Sequence, residues 1–188
     1  MTLEELHERH FHELETSRLL MRPVRLEDAE AMFAFTSFPD NFRYIRSSVH
    51  QSLDESRDYL QRVLDGYQRH IQFFWGICLK DSGRMVGTCR LHSFHEKELS
   101  METSYMIHQD YSGQGIGRET EKRLVQYSFE ELGLSAVYTR CTTENIESAR
   151  LIENSGLKKI KTLIHDAQFH DIWYDFYLFK ITKGEWMT

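Results

Sequence analysis

No run of apolar residues in this 188-residue chain approaches the roughly 18 that a membrane-spanning helix needs, and no hydrophobic signal region opens it. A cytoplasmic protein with no membrane partner is the expectation. Basic residues are not in excess: 29 Asp and Glu face 23 Lys and Arg, for a net charge of -6 and a pI near 5.9. That balance disfavours nonspecific nucleic-acid binding and leans weakly towards a cationic substrate. The three cysteines, Cys78, Cys89 and Cys141, are odd in number and widely spaced in strand-like runs, so they read as small buried hydrophobes. His7, His10 and His12 have no cysteine or carboxylate pattern of metal-site spacing beside them, and no metal is expected. There is no repeat, low-complexity tract or linker. With 40% hydrophobic residues the chain can build one substantial core.

What is present is a glycine-rich turn, Tyr111-Ser112-Gly113-Gln114-Gly115-Ile116-Gly117-Arg118. An alternating stretch, Leu99 to Ile107, leads in, and a helical pattern with Leu124, Val125, Ser128 and Leu132 on one face leads out. Glycines at alternate positions let backbone approach a ligand, and the free N–H groups of a helix start attract an anion. The turn lacks the Lys-Ser/Thr pair of a P-loop, and its third glycine falls too early for a dinucleotide fold.

Elsewhere, Thr2 to Glu15 reads as a short amphipathic helix, Arg18 to Val24 as a first strand, and Leu26 to Ser37 as a helix stopped before Pro39. Ser52-Leu53-Asp54-Glu55 reads as a capping box opening a helix to about Arg69. The intervening Asp40 to Gln51, aromatic and basic, is either a loop that closes over a substrate or a packed connector. Phe73 to Leu79 and Met85 to His92 form a predicted hairpin, with Leu99 to Ile107 its antiparallel neighbour. Ala136 to Thr142 is a strand, Ile146 to Ser155 a helix closed by Gly156, and Lys158 to Leu163 and Phe169 to Lys180 the last strands. The sum is an α/β (α+β) domain over residues 16–188, with a mixed, mainly antiparallel sheet and a helical extension over residues 1–15.

The glycine turn resembles the pyrophosphate loop of the GNAT acyltransferase superfamily, Arg/Gln-x-x-Gly-x-Gly/Ala, with Ser112 at its first position. Three further stretches are similar to the RimJ/RimL-type N-terminal acetyltransferases of ribosomal proteins: Thr16 to Pro23 with Leu26 to Glu30, Glu102 to Tyr111, and Asn145 to Arg150 with Ser155-Gly156-Leu157. The resemblance implies the GNAT fold, with its sheet splayed at the cofactor site and helices flanking it. It also implies acetyl-coenzyme A, its pyrophosphate on the amides of Gln114, Gly115, Ile116, Gly117 and Arg118. The pantetheine arm would lie along Tyr105, Met106, Ile107 and His108, taking the amide partners of a neighbouring strand. Asn145 would hydrogen-bond cofactor or substrate, or simply cap the helix from Ile146.

Acetyl transfer to an amine needs a neutral amine, a polarised carbonyl and a proton for the departing thiolate. Neutralising an α-amine at pH 7 costs about 1 kcal/mol and a lysine amine about 4.6 kcal/mol, so an N-terminal amine needs only a modest base. The resemblance points to Glu102 as that base and to backbone N–H groups near Met106 to His108 as the polarising donors. Ile152 stands where many GNAT enzymes carry a proton-donating tyrosine, and the resemblance to the RimJ/RimL branch implies instead that Ser148, the serine of its Asn-x-x-Ser step, is the proton donor. A further carboxylate of the branch has no clear match, Ala167 or Gln168 falling there beside Asp166. His92 and His108 are titratable groups near the expected cleft, and lone strand histidines are more often structural. The leading acceptor is a protein N-terminal α-amine. A small amine, such as a polyamine or aminoglycoside, and a noncatalytic acyl-coenzyme A sensor are the alternatives. A homodimer through the aromatic C-terminal strands is a further possibility.

Overall fold

In the computed structural model, which describes residues 2–188, one eight-stranded sheet runs through the molecule. In chain order the elements are α1 (Leu3–His10), β1 (Leu14–Glu15), β2 (Leu19–Arg22), α2 (Ala29–Thr36), α3 (Leu53–Gln68), β3 (Phe73–Leu79), β4 (Met85–His95) and β5 (Ser100–Ile107). There follow α4 (Ile116–Glu130), β6 (Ala136–Thr142), α5 (Ile146–Asn154), β7 (Lys158–Phe169), β8 (Ile172–Thr182) and α6 (Lys183–Trp186). The strand order is β1-β2-β3-β4-β5-β6-β8-β7, antiparallel throughout except for β5 beside β6.

Strand β3 shows why the sheet needs cover on both faces. Phe73, Trp75 and Ile77 enter a core shared with Leu6, Leu14, Leu124 and Tyr127, while Phe74 and Cys78 enter a second core with Met32, Phe35, Leu60 and Val63 of α2 and α3. The period-2 alternation of a strand sends neighbours to opposite faces. A third core gathers Val125, Phe129, Val137, Ile152 and Phe179 beneath α4 and α5.

Some boundaries differ from the sequence expectation, for local reasons. Leu14, expected on the first helix, is fully buried in strand β1 opposite Met21. Tyr127 and Trp75 hold the chain between α1 and β1 by donating to the carbonyls of His10 and His12. The capping box at Ser52 is half formed: its hydroxyl accepts from Glu55 N, but the Glu55 carboxylate accepts from Gln51 N, one residue earlier. Strand β7 runs on to Phe169 and turns at His170 and Asp171, both with positive φ (51° and 60°). The three cysteines are free and buried.

What positions the site is the short contact between β5 and β6. Their parallel register covers only Ser100–Ala136, Met101–Val137 and Glu102–Tyr138, after which the strands diverge. Two threonines stitch the point of divergence: Thr139 Oγ1 donates to the Thr103 carbonyl (3.1 Å) and Thr103 Oγ1 to a carboxyl oxygen of Glu121 on α4 (2.7 Å). Beyond it, β5 has a partner only on its β4 side.

Candidate active site

The direction of each β5 amide beyond the divergence follows from one hydrogen bond. His108 N donates to the Val86 carbonyl (2.8 Å), and bonded pairs alternate along an antiparallel ladder, so Met106–Thr88 is the next bonded pair. The N–H and C=O groups of Tyr105 and Ile107 therefore point into the gap left by β6. Of the amides expected to polarise a carbonyl, this leaves that of Ile107 directed at the gap, while those of Met106 and His108 serve β4.

At the end of β5 the chain makes a short turn, Gln109–Tyr111, then passes through Gly113 (φ 73°) and Gly115 (φ 79°) into α4. Gly115 is the left-handed N-cap, a conformation that needs glycine. Helix α4 makes its first bond from Glu119 N to the Gly115 carbonyl (3.0 Å), so the N–H groups of Ile116, Gly117 and Arg118 have no partner within the helix. Arg18 braces this turn from β2's approach: its guanidinium bonds the Gln114 carbonyl (3.1 Å) and pairs with Glu119 (2.6 Å).

A cleft of about 790 Å³ opens on these amides, and Tyr105, Met106, Ile107, Gly115, Ile116, Gly117, Arg118, Asn145 and Ser148 line it together. Gln114 and His108 do not line it. The side chain of Gln114 turns back to bond the Asp110 carbonyl, and His108 is buried with its Nδ1 accepting from Asp110 N. Asn145 caps α5, its Oδ1 accepting from Ser148 N (3.1 Å). The phenol of Tyr105 is buried in the cleft wall, and Ser148 approaches it without completing a hydrogen bond. Burial holds that phenol protonated far above neutral pH. A Cβ on Gly117 would stand 2.9 Å from Leu151 Cδ1 and 3.1 Å from the Tyr105 ring, so the floor of the cleft is built around its absence. Unpartnered amides, a glycine-lined floor and an orphaned hydroxyl fit a phosphate-bearing, peptide-like ligand. Arg150, not anticipated from sequence, adds an exposed cation to the rim.

Glu102 stands elsewhere. It lines neither this cleft nor its neighbour and is ion-paired with Arg140 (3.1 Å), which also holds Asp166 (3.0 Å). This placement offers no support for its expected role as base. His92 is held neutral, burial and the cations Arg90 and Arg140 lowering its pKa to about 4.

A second cavity, of about 560 Å³, meets the cleft at Ile45, Tyr105 and Met106. Phe42, His50, Tyr59 and Phe74 form an aromatic wall with ring centroids 5.8–6.4 Å apart. The Asp40 to Gln51 segment thus lines this cavity rather than merely connecting helices. Hydrogen-bond direction fixes the state of His50. Thr36 Oγ1 donates to the Met32 carbonyl, so it can only accept from Ser56 Oγ (3.3 Å). The Ser56 proton is then spent, and His50 Nδ1 must donate to Ser56 Oγ (2.7 Å). His50 Nε2, which makes no hydrogen bond among the described residues, carries the lone pair. Burial lowers the pKa of this imidazole and keeps it neutral. Sequence reasoning passed over His50 because the hydrogen-bond chain that fixes it runs through Ser56 on α3 and Thr36 on α2, which meet only in the fold.

With that geometry in place, comparison with known proteins gives a consistent answer. The acetyltransferase (GNAT) domain family matches residues 18–158. A relative in Bacillus subtilis (strain 168), the uncharacterized N-acetyltransferase YoaA, is 30% identical over 170 residues, covering 90% of this chain and 96% of that one. The crystal structure of an acetyltransferase (GNAT family) from Bacillus anthracis superposes with a TM-score of 0.83 at 22% identity, over 92% of this chain and 99% of that one. A spermidine N-acetyltransferase from Vibrio cholerae, crystallised with CoA and spermine, gives 0.79 at 18% identity, over 92% and 100% of the two chains.

Proposed function

The chain belongs to the GNAT acetyltransferase family and is an acetyl-CoA-dependent N-acetyltransferase with an amine acceptor; we propose that this acceptor is an α-amine, with a protein N-terminus as the leading case. The observation that carries this reading is the free lone pair of His50 Nε2 in a cavity that opens onto the cofactor cleft at Tyr105 and Met106. A buried, neutral imidazole is a weak base. It is matched to an α-amine, which must lose little free energy to become neutral, and poorly matched to a lysine or polyamine amine.

Acetyl-CoA supplies the acetyl group as a thioester. In our reading the amides of Ile116, Gly117 and Arg118 hold its pyrophosphate, with Arg150 as a further cation. The gap edge of β5, Tyr105 and Ile107, pairs with the pantetheine amides. The acceptor nitrogen attacks the thioester carbonyl carbon, a C–N bond forms, the C–S bond breaks, and His50 Nε2 takes the amine proton. The Ser148 hydroxyl, backed by the protonated Tyr105 phenol, donates to the sulfur as it departs. The proton that His50 later releases to solvent is returned to the Ser148 oxygen, which restores both groups for the next turnover.

The test is thiol release from acetyl-CoA against peptides with free N-termini, N-terminally blocked lysine peptides, spermidine and aminoglycosides. Turnover confined to free α-amines is the expected result. His50→Gln should lower kcat about a hundredfold and make the acid limb of the kcat/KM profile less steep, leaving only the ionisation of the acceptor amine, and Ser148→Ala should lower kcat more than it weakens acetyl-CoA binding. A His50→Gln enzyme with wild-type kcat and pH profile overturns the base assignment. Turnover of spermidine alone overturns the acceptor.

A further inference from the structure

Two guanidiniums in the acceptor cavity have no carboxylate partner among the described residues. Arg62, on α3, lies over the Tyr59 ring (5.7 Å to the centroid) and forms no ion pair with Asp58, one helical turn away on the same wall. Arg90, on β4, donates through Nε to Ser104 Oγ (2.8 Å), which orients its fork and leaves the terminal nitrogens without a partner among the described residues. The two converge on Tyr59: Arg62 lies over its ring, and Arg90 stands opposite Phe74 of β3, whose ring is 6.0 Å from that of Tyr59; burial raises the pKa of the phenol, and both cations oppose that shift. Nearby cations could have been neutralised within the chain, and elsewhere they are, as in Arg18–Glu119, Arg22–Asp28, Arg57–Asp54 and Arg140–Glu102. Of the two acids in this wall, Glu55 is engaged by the Gln51 amide at the start of α3. Asp58 and the lone pair of His50 remain for a cationic or neutral amine.

The cavity is therefore not an acidic pocket. It holds two acids and two guanidiniums, and it repels the anionic end of a ligand from Asp58 while drawing it to Arg62 and Arg90. A polyamine, cationic along its whole length, would leave both guanidiniums unpaired and meet them with like charge.

Building on the α-amine reading above, we propose that the acceptor carries a carboxylate close to the amine it presents, and that Arg62 and Arg90 bind that carboxylate. Two sources supply this chemistry: the α-carboxylate of a free amino acid, and an acidic side chain near the start of a peptide.

The experiment measures kcat/KM for four acceptors: alanine, alanine amide, and the C-terminally amidated peptides Ala-Glu-Ala and Ala-Gln-Ala. The proposal expects at least one charged acceptor to exceed its neutral counterpart by about tenfold or more, chiefly through KM, as hydrogen bonds to a charged group imply. The pair showing the excess identifies the source. In Arg62→Gln and Arg90→Gln that ratio should fall towards one, and in Arg62→Glu it should invert. Equal rates for charged and neutral acceptors, or a ratio that survives both glutamine variants, overturns the proposal. A binding arm needs no turnover: in the presence of CoA, N-acetylalanine and N-acetyl-Ala-Glu-Ala amide are titrated calorimetrically against N-acetylalanine amide and N-acetyl-Ala-Gln-Ala amide. Should no acceptor release thiol, the transferase reading fails, and the anion site is still decided by whether either charged ligand binds more tightly than its neutral counterpart and loses that advantage in Arg62→Gln. Absence of any such advantage overturns the site itself.

Discussion

Glu121 offers a measurement of the electrostatics beneath the site. It is fully buried on α4; one oxygen accepts from Thr103 Oγ1 and the other has no partner among the described residues. Burial raises its pKa from 4.5 to about 7, against the smaller opposing effect of the threonine. In the folded protein it thus keeps its proton over a range in which the unfolded chain has lost it. Its contribution to stability is fully present below pH 4.5 and is lost as pH rises through 7. The shift of about 2.5 units, at 1.36 kcal/mol per unit, gives a loss of about 3 kcal/mol between pH 4.5 and pH 8. Other groups slope the opposite way, since His7, His50 and His92 have lowered pKa values and stabilise the fold as pH rises towards 6.5. The informative quantity is therefore the difference between wild type and Glu121→Gln, which keeps the shape and cannot ionise. Urea unfolding of both proteins at several pH values over this window should show the variant gaining about 3 kcal/mol on wild type from the acid end to the alkaline end. Parallel curves would refute a buried, titrating carboxyl at the β5–β6 divergence.

A Cβ on Gly87 would collide with the Met106 carbonyl oxygen, a backbone atom that cannot step aside without moving the β5 edge; Gly87→Ala should cost about 2 kcal/mol in urea unfolding and raise the KM for acetyl-CoA. Gly117→Ala, which meets Leu151 and the Tyr105 ring, should weaken acetyl-CoA binding about tenfold by calorimetry with little loss of secondary structure. Gly115→Glu places a charged residue at φ 79° beside the unpartnered amides and should abolish that binding; unchanged affinity would remove the glycine turn from the site. Asp28→Asn breaks the paired hydrogen bonds from Arg22 (2.6 and 2.8 Å) and leaves a largely buried guanidinium uncompensated, for an expected loss of about 3 kcal/mol on urea unfolding.

The parts of this site that depend on backbone were legible in the sequence, because backbone geometry is a local property. Gly113 and Gly115 announce a turn whatever lies around them, and both adopt positive φ. Asn145 before Ile146 reads as a cap, and its Oδ1 accepts from Ser148 N. The capping box at Ser52 was legible in part, since its second half depends on where Gln51 sits. Glu121 left a usable signal: it falls on the apolar stripe with Gly117, Leu124 and Ser128, where a charged residue is out of place.

The acceptor side left no such signal, because its character is decided by which partners fail to meet. Asp58 and Arg62 stand four apart on α3, a spacing that ordinarily predicts an ion pair, and Arg62 instead lies on Tyr59. Glu102, which sequence reasoning offered as a base, is claimed by Arg140 from the neighbouring strand. Arg90 alternates with Cys89 and Leu91, both in the core, so the strand pattern places it on the opposite face without saying that no acid waits there. Likewise, the direction of the proton chain from His50 through Ser56 to Thr36 is set at its far end, by the carbonyl of Met32. The cofactor cleft is made of amides that any sequence with these glycines would supply. The acceptor cavity is made of side chains whose roles are fixed only when α2, α3, β4 and β5 come together, and its substrate preference should therefore be alterable at Arg62 and Arg90 without rebuilding the glycine turn.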